Sequence, residues 1–187
     1  MSNERLSAAE RFLGLLKPIE RDLEIYCRRL IFDPRDAADA VQNAVLRAYR
    51  AFDRYHCDAS FRAWMFKILT NEIFALNRKR GRIAKFEIVV EMDDLEAVVQ
   101  HAHLEEYPYS AFSIEYLSEV LGQDLVAALE TLSDVEKSIL LMKAMGGLRY
   151  REIAESLEIP LGSVMGNLFR ARQKMRNAIL RLRGRAE

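Results

Sequence analysis

Between Ile19 and Phe32 the apolar residues Leu23, Tyr26, Cys27 and Leu30 recur every three or four positions, which predicts a helix with one inward face. A second pattern follows Asp33-Pro34. Asp33 suits an N-cap, Pro34 the first helical position and Asp36 the first turn. Ala37, Ala40, Val41, Ala44, Val45, Ala48 and Phe52 then repeat at helical spacing, and Asp36, Asp39, Gln42, Asn43, Arg47 and Arg50 fall on the opposite face. A further helix is expected from Ser60, its cap, with Phe61, Trp64, Met65, Ile68, Leu69 and Leu76 as its apolar stripe. It runs into Arg78-Lys79-Arg80-Gly81-Arg82, where Gly81 is suited to stop it. Residues 5–85 therefore read as a helical bundle.

The pattern resumes after residue 124. Ser133-Asp134-Val135-Glu136 is a capping box opening a helix with Ile139, Leu140 and Met142, which ends at Gly146-Gly147. Leu148–Leu157 forms another short helix, with small Ala154 where two helices must approach. The break Glu158-Ile159-Pro160-Leu161 follows, then a long helix to about Arg183. Helix, short turn and helix make a helix-turn-helix. In the last helix Val164, Leu168, Ala171, Met175, Ile179 and Leu182 form the stripe, and Arg170, Arg172, Lys174, Arg176, Arg181 and Arg183 surround it. A cationic helix that merely packs accounts for the stripe alone; a recognition helix in the major groove accounts for stripe and charge together.

The whole chain of 187 residues carries 28 Lys and Arg against 28 Asp and Glu, but the balance is local. Residues 1–85 hold 17 basic against 11 acidic side chains, residues 86–124 hold none against 10, and residues 125–187 hold 11 against 7. The fold class expected is all-α: two small basic helical domains, 5–85 and 125–187, joined by an acidic linker at 86–124. Residues 86–112 lack a long amphipathic pattern and read as extended, with a helix starting near Ser113. The linker is either a solubilising spacer or a polyanion that occupies a groove made for nucleic acid.

No apolar run approaches the roughly 20 residues of a membrane span, and Met1–Arg11 has no signal-peptide core, which favours the cytoplasm. Cys27 and Cys57 make no disulfide framework, and His56, His101 and His103 stand in no ligand or triad spacing. With no phosphate-cradling glycine loop either, no catalytic site, metal or cofactor is expected. Arg78–Arg82 is either a solvated helix end favourable to the helix dipole or a phosphate-contacting patch. Trp64 is either core or a stacking platform. The loop Asp53–Ala59 carries an aromatic ring and hydrogen-bonding side chains suited to an unstacked base.

Both modules resemble the extracytoplasmic-function sigma factors of bacterial RNA polymerase. Asp33–Asn43 resembles that family's polymerase-binding helix. Phe61–Ile68 followed by Asn71 resembles its melting and minus-ten-reading helix. Leu132–Arg172 resembles its minus-thirty-five-reading domain, including Arg151-Glu152-Ile153-Ala154 and Phe169-Arg170-Ala171-Arg172. The likeness covers about three quarters of the chain, in the family's order. It departs at Ala75, where the family often has Asp, and at Met165 and Gly166, where polar or basic residues are common.

The resemblance implies that Asp39, Gln42, Asn43, Leu46 and Arg47 dock on core polymerase at the β′ clamp, with a further contact to the β flap. It implies that Tyr55, His56, Ser60 and Asn71 hold a flipped minus-ten base, with Arg78, Lys79 and Arg80 on nearby phosphates. Ser163, Asn167, Phe169, Arg170, Arg172 and Arg176 would meet the minus-thirty-five element. Capturing unpaired bases offsets the few kcal/mol that each base taken out of the stack costs, so opening needs no ATP. The partners implied are core RNA polymerase, promoter DNA and an anti-sigma factor, with no membrane insertion. Two other readings stand beside this one: a stand-alone helix-turn-helix regulator, which leaves the first module without a role, and a sigma-mimicking decoy that captures an anti-sigma factor.

Overall fold

The structure, a computed structural model, describes residues 7–55, 60–79 and 124–184, and every regular element among them is helical. The fold is all-α. The chain divides into two compact units, Met1–Ala84 and Lys85–Glu187. The acidic stretch 86–123, His56, Cys57, Arg80, Gly81 and Arg82 lie outside the described residues.

The first unit opens with a helix that the periodicity does not indicate. Helix α1, Ala8–Leu16, starts on a capping box in which the Glu10 amide donates to Ser7 Oγ (3.2 Å) and the Ser7 amide to Glu10 Oε2 (2.7 Å). It buries Phe12, whose ring packs edge-to-face on Tyr49, Phe52 and Phe61 at 5.4, 5.2 and 5.7 Å. Helix α2 is Glu20–Leu30, with the expected Leu23, Tyr26, Cys27 and Leu30 buried. It stops two residues short of Phe32, because Asn77 captures that reversal: its Nδ2 donates to the Leu30 carbonyl (3.2 Å) and its Oδ1 accepts from the Phe32 amide (2.9 Å).

Asp33 caps the next segment as expected, accepting from the Arg35 amide at 3.0 Å, but the first turn, Pro34–Asp36, is 3-10 before α3 runs from Ala37 to Arg50. The α3 seam is four alanines, Ala37, Ala40, Ala44 and Ala48, all buried; Val41 and Val45 are only half-buried. Helix α4, Phe61–Lys79, is capped by Ser60, whose Oγ accepts from the Ala63 amide at 3.3 Å. Its stripe differs from the expected one: Trp64, Ile68 and Leu76 are half-buried, while Phe66, Ile73 and Phe74 are in the core.

Helices α2 and α4 run parallel, joined at three levels. Arg62 Nη1 donates to Asp22 Oδ2 at 2.7 Å near their starts. In the middle the Tyr26 hydroxyl lies 2.7 Å from Thr70 Oγ1, which itself donates to the Phe66 carbonyl, so Tyr26 is the donor. Asn77 closes the far end.

In the second unit, residues 124–129 are helical and precede α5, Asp134–Ala144. The expected capping box is present: the Glu136 amide donates to Ser133 Oγ (3.2 Å) and the Ser133 amide to Glu136 Oε2 (2.9 Å). Of the expected core, Ile139 and Met142 are buried, but Leu141 takes the buried place and Leu140 is half-exposed. The turn after α5 needs glycine twice. Gly147 has φ 62°, and a β-carbon on Gly146 would stand 2.5 Å from the Met142 carbonyl oxygen.

Helix α6, Tyr150–Leu157, ends at left-handed Glu158 (φ 57°), and α7, Leu161–Arg183, begins after Pro160. The Ala154 carbonyl accepts from Glu158 and Ile159 across this turn, the latter at 3.1 Å. Val164, Leu168, Ala171 and Met175 are buried as expected, but Ile179 and Leu182 are half-buried and Leu180 is 59% exposed. The last turns of α7 thus outrun the core.

Glu136 is the electrostatic hub of this unit. Its carboxylate, 4% exposed, accepts from Lys174 Nζ of α7 at 2.8 Å on both oxygens. Burial pushes the carboxyl pKa up, but the Lys174 and Ser133 hydrogen bonds outweigh it and hold the group below its ordinary 4.5. Lys174→Met should cost about 1–3 kcal/mol by leaving that carboxylate without its cation. The group's folded pKa is depressed, so its contribution is complete above the unfolded value and lost as pH falls through the folded one. Urea unfolding should therefore show the stability gap between the native chain and Glu136→Gln narrowing as pH is lowered from 7 to 3.

Cys27 is fully buried, with Sγ 3.6 Å from the Ala37 carbonyl, and burial pushes its thiol pKa to about 12. In a Cys57→Ser chain at pH 8, a thiol reagent should label Cys27 only at the rate of unfolding.

Candidate nucleic-acid and polymerase interfaces

The alanine seam of α3 determines what its other side offers. With Ala37, Ala40, Ala44 and Ala48 turned inward, Asp39, Gln42, Asn43, Leu46 and Arg47 are all exposed. Leu46 is 45% exposed, and Arg47 Nη1 pairs with Glu72 Oε2 of α4 at 2.9 Å. That pair is surface-exposed on the arginine side and therefore weak, so it holds Arg47 in place without removing it from a partner's reach. Tyr49, 44% exposed, and Leu13 of α1, 58% exposed, add apolar surface beyond the residues expected from sequence. Tyr49 follows Leu46 at i+3 and out of phase with the alanines, the signal that marks it.

At the cap of α4 and along it, Ser60, Asn71 and Arg78 are exposed. Eleven residues are close to three helical turns and seven close to two, so these positions fall on one face. Lys67 shares that line and is half-buried. Lys79 is exposed beside Arg78.

Tyr55 is half-buried and stacked parallel to Phe52 (8° between planes, centroids 5.9 Å), with Trp64 and Phe61 at 5.1 and 5.5 Å. The aromatic ring of the loop is thus braced by the bundle, and Trp64 is part of that brace rather than deep core. Phe12 reaches the same cluster from α1, a link across 40 residues that no local pattern signals.

On α7 the expected reading face is less open than its sequence suggests. Ser163 and Asn167 are buried, 7% and 8% exposed. Asn167 Nδ2 donates to the Ser163 carbonyl one turn back at 2.7 Å, which commits the amide to its own helix. Phe169, Arg170 and Arg172 are half-buried, and Arg176 is exposed. The Arg170 guanidinium lies over Gly166, 3.8 Å from where a β-carbon would stand. Lys174, expected among the projecting cations, is instead tied to Glu136. Among the described residues no His, Cys, Asp or Glu cluster is arranged to hold a metal, and no helix is long and apolar enough to cross a membrane.

Residues 15–83 match the family model for Sigma-70 region 2, and residues 122–175 that for Sigma-70, region 4. The ECF RNA polymerase sigma-E factor of Escherichia coli K12 is 29% identical over 149 residues, spanning 77% of this chain and 74% of that protein. The SigE factor of Mycolicibacterium smegmatis is 30% identical over 149 residues, 80% of this chain and 54% of that one. Among solved structures, the sigma factor RpoE bound to the anti-sigma factor NepR, from Bartonella quintana, shares the fold with a TM-score of 0.66 at 21% identity, covering 90% of this chain and 96% of that one. CnrH in complex with the cytosolic domain of CnrY gives 0.58 at 25%, covering 89% and 85%.

Two sigma regions in order, on two helical units, define a promoter-specificity subunit of RNA polymerase, a class of transcription initiation factors that are not enzymes. The chain belongs to the extracytoplasmic-function family of sigma factors and directs RNA polymerase to promoters. The match to region 2 gives the first unit the role that a stand-alone regulator would leave empty.

Proposed function

We propose the following division of labour along the chain, with 5–85 as the polymerase-binding and minus-ten body, 86–124 as the connector and 125–187 as the minus-thirty-five body. The observation that carries it is the outer face of α3. An all-alanine seam leaves Asp39, Gln42, Asn43, Leu46 and Arg47 together on the surface, a mixed polar and apolar stripe suited to a helical partner. That stripe docks on the β′ clamp of core polymerase, and the second unit faces the β flap.

The loop from Tyr55 through His56 to Ser60, with Asn71, receives an unpaired minus-ten base. Tyr55 is held for this by Phe52 and Trp64. Arg78, Lys79 and Arg80 hold phosphates at the end of the same helix. Arg170, Arg172 and Arg176 meet the minus-thirty-five element with Phe169, and Ser163 and Asn167 support that face from within the helix. One structural neighbour, RpoE of Bartonella quintana, is solved with an anti-sigma factor, which supports regulation of this chain by such a protein. Work on chromosomal DNA requires that the chain act in the cytoplasm.

Transcription in vitro with core polymerase over a genomic fragment library, with and without this chain, tests the reading: new start sites should appear only in its presence. Asp39→Ala with Gln42→Ala should weaken binding to core polymerase by at least tenfold in a pull-down titration while leaving thermal unfolding unchanged, because both side chains face outward. Replacing Arg170 and Arg172 with Ala should weaken promoter affinity by ~1–3 kcal/mol for each arginine that reads a base, and by less where an arginine touches only phosphate. Open-complex formation at a range of DNA concentrations measures the difference.

A further inference from the structure

The parallel packing of α2 and α4 brings two helix C-termini to one end of the first unit. Asn77 fixes them there through the Leu30 carbonyl and the Phe32 amide. Arg29 immediately precedes Leu30, and Arg78 immediately follows Asn77. With Arg28 and Lys79, four cations therefore collect at this end, Arg28, Arg78 and Lys79 exposed and Arg29 half-buried. None of the four is ion-paired among the described residues, in contrast to Arg35, Arg47, Arg62, Lys137 and Lys174, each of which has a carboxylate within 3.0 Å. The local sequence explains why. From residue 25 to 32 and from 73 to 79 there is no Asp or Glu; the acids of α2, Glu20, Asp22 and Glu24, all lie in its first half. The next acid, Asp33, is engaged by Arg35 at 2.8 Å.

We propose that Arg28 and Arg29 of α2 bind DNA phosphates, extending the grip of Arg78 and Lys79 into a surface built from two helix ends. This rests on the reading of α4 given above. Cations at helix C-termini also complement the helix dipoles, which accounts for two at each end taken singly but not for the joining of the two ends into one surface without an acid. Four cations with no acid among them describe instead a surface that a polyanion completes. The neighbouring helix α3 differs in part: of the two arginines in its last turn, Arg47 is tied to Glu72, while Arg50 is exposed with no ion pair among the described residues. The ligand chemistry is the phosphodiester backbone, either of duplex flanking the opened segment or of the unpaired strand.

The test uses holoenzyme assembled from core polymerase and the full chain, with promoter affinity measured by fluorescence anisotropy between 50 and 200 mM salt. Removing two phosphate-neutralising cations lowers the slope of log affinity against log salt by about 1.8, so native affinity should fall ~10-fold more than that of the Arg28→Ala, Arg29→Ala double variant across this range. The double variant Arg28→Lys, Arg29→Lys keeps the charge and should restore most of the slope, which separates phosphate binding from an effect on folding. A fully paired promoter and the unpaired minus-ten strand supplied alone as an oligonucleotide distinguish the source: a lower slope on the promoter only assigns duplex phosphates, and a lower slope on the oligonucleotide assigns the unpaired strand. An unchanged slope on both overturns the proposal. If Arg78→Ala with Lys79→Ala lowers the slope while the α2 variant does not, this extension alone fails; if neither does, the α4 assignment fails with it.

Discussion

A single amide side chain decides where the first unit's framework closes. Asn77 is 2% exposed and offers a donor and an acceptor in a dry setting, and both meet backbone groups at the reversal after α2. An unmatched carbonyl and amide there would each carry a desolvation cost of about 1–3 kcal/mol. The bond pair ends α2 at Leu30, aligns that end with the end of α4 and positions Asp33 to start the next helix. The cation-rich end of the bundle follows from that registration. Tyr26 with Thr70, and Asp22 with Arg62, repeat the device at two further levels, so polar contacts at fixed heights set the register of an otherwise apolar interface.

The second unit uses charge for the same purpose. Glu136 stands at the third position of α5, where it closes a capping box, and the same carboxylate takes both hydrogen bonds of Lys174. One buried group thus joins the start of α5 to the middle of α7. Helix α7 is anchored by a charged pair on one side and by Val164, Leu168 and Ala171 on the other, so its orientation follows from the body that carries it.

How much of this is legible in the sequence varies with the physics of each element. Helices α2 and α3 have one buried face each, so the helical period locates both elements; Leu23, Tyr26, Cys27 and Leu30 are the core of α2 as expected, while of the expected α3 stripe Ala37, Ala40, Ala44 and Ala48 are buried and Val41, Val45 and Phe52 only half-buried. Helix α4 packs against both of them, and its apolar residues occur on nearly every side. Periodicity alone then gives no unique phase, which is why it points to Trp64, Ile68 and Leu76 where the core takes Phe66, Ile73 and Phe74. The buried roles of Thr70 and Asn77 depend on partners 44 to 47 residues away and leave no local trace. Helix α1 does leave one, the Ser7 and Glu10 box, in a segment too short for a clear period. Of the candidate site, the outward residues of α3 are readable because exposure follows from the opposite face, whereas Ser60, Asn71 and Arg78 on α4 are marked by the family resemblance rather than by the period. The burial of Ser163 and Asn167 is not, since a polar side chain bonded to its own helix looks like any outward one in sequence.

The alignment of Ser60, Asn71 and Arg78 along α4 makes that helix a measuring rod. At 1.5 Å per residue the rod is about 27 Å from first to last mark. A rigid helix transmits no slack, so the distance between the first and last of these side chains is constant whatever the flanking loops do. Their angular agreement is equally strict: adding or removing one residue within the rod would swing every later mark by about 100°. Evolution can therefore vary which side chains stand at the marks far more freely than it can vary how many residues lie between them.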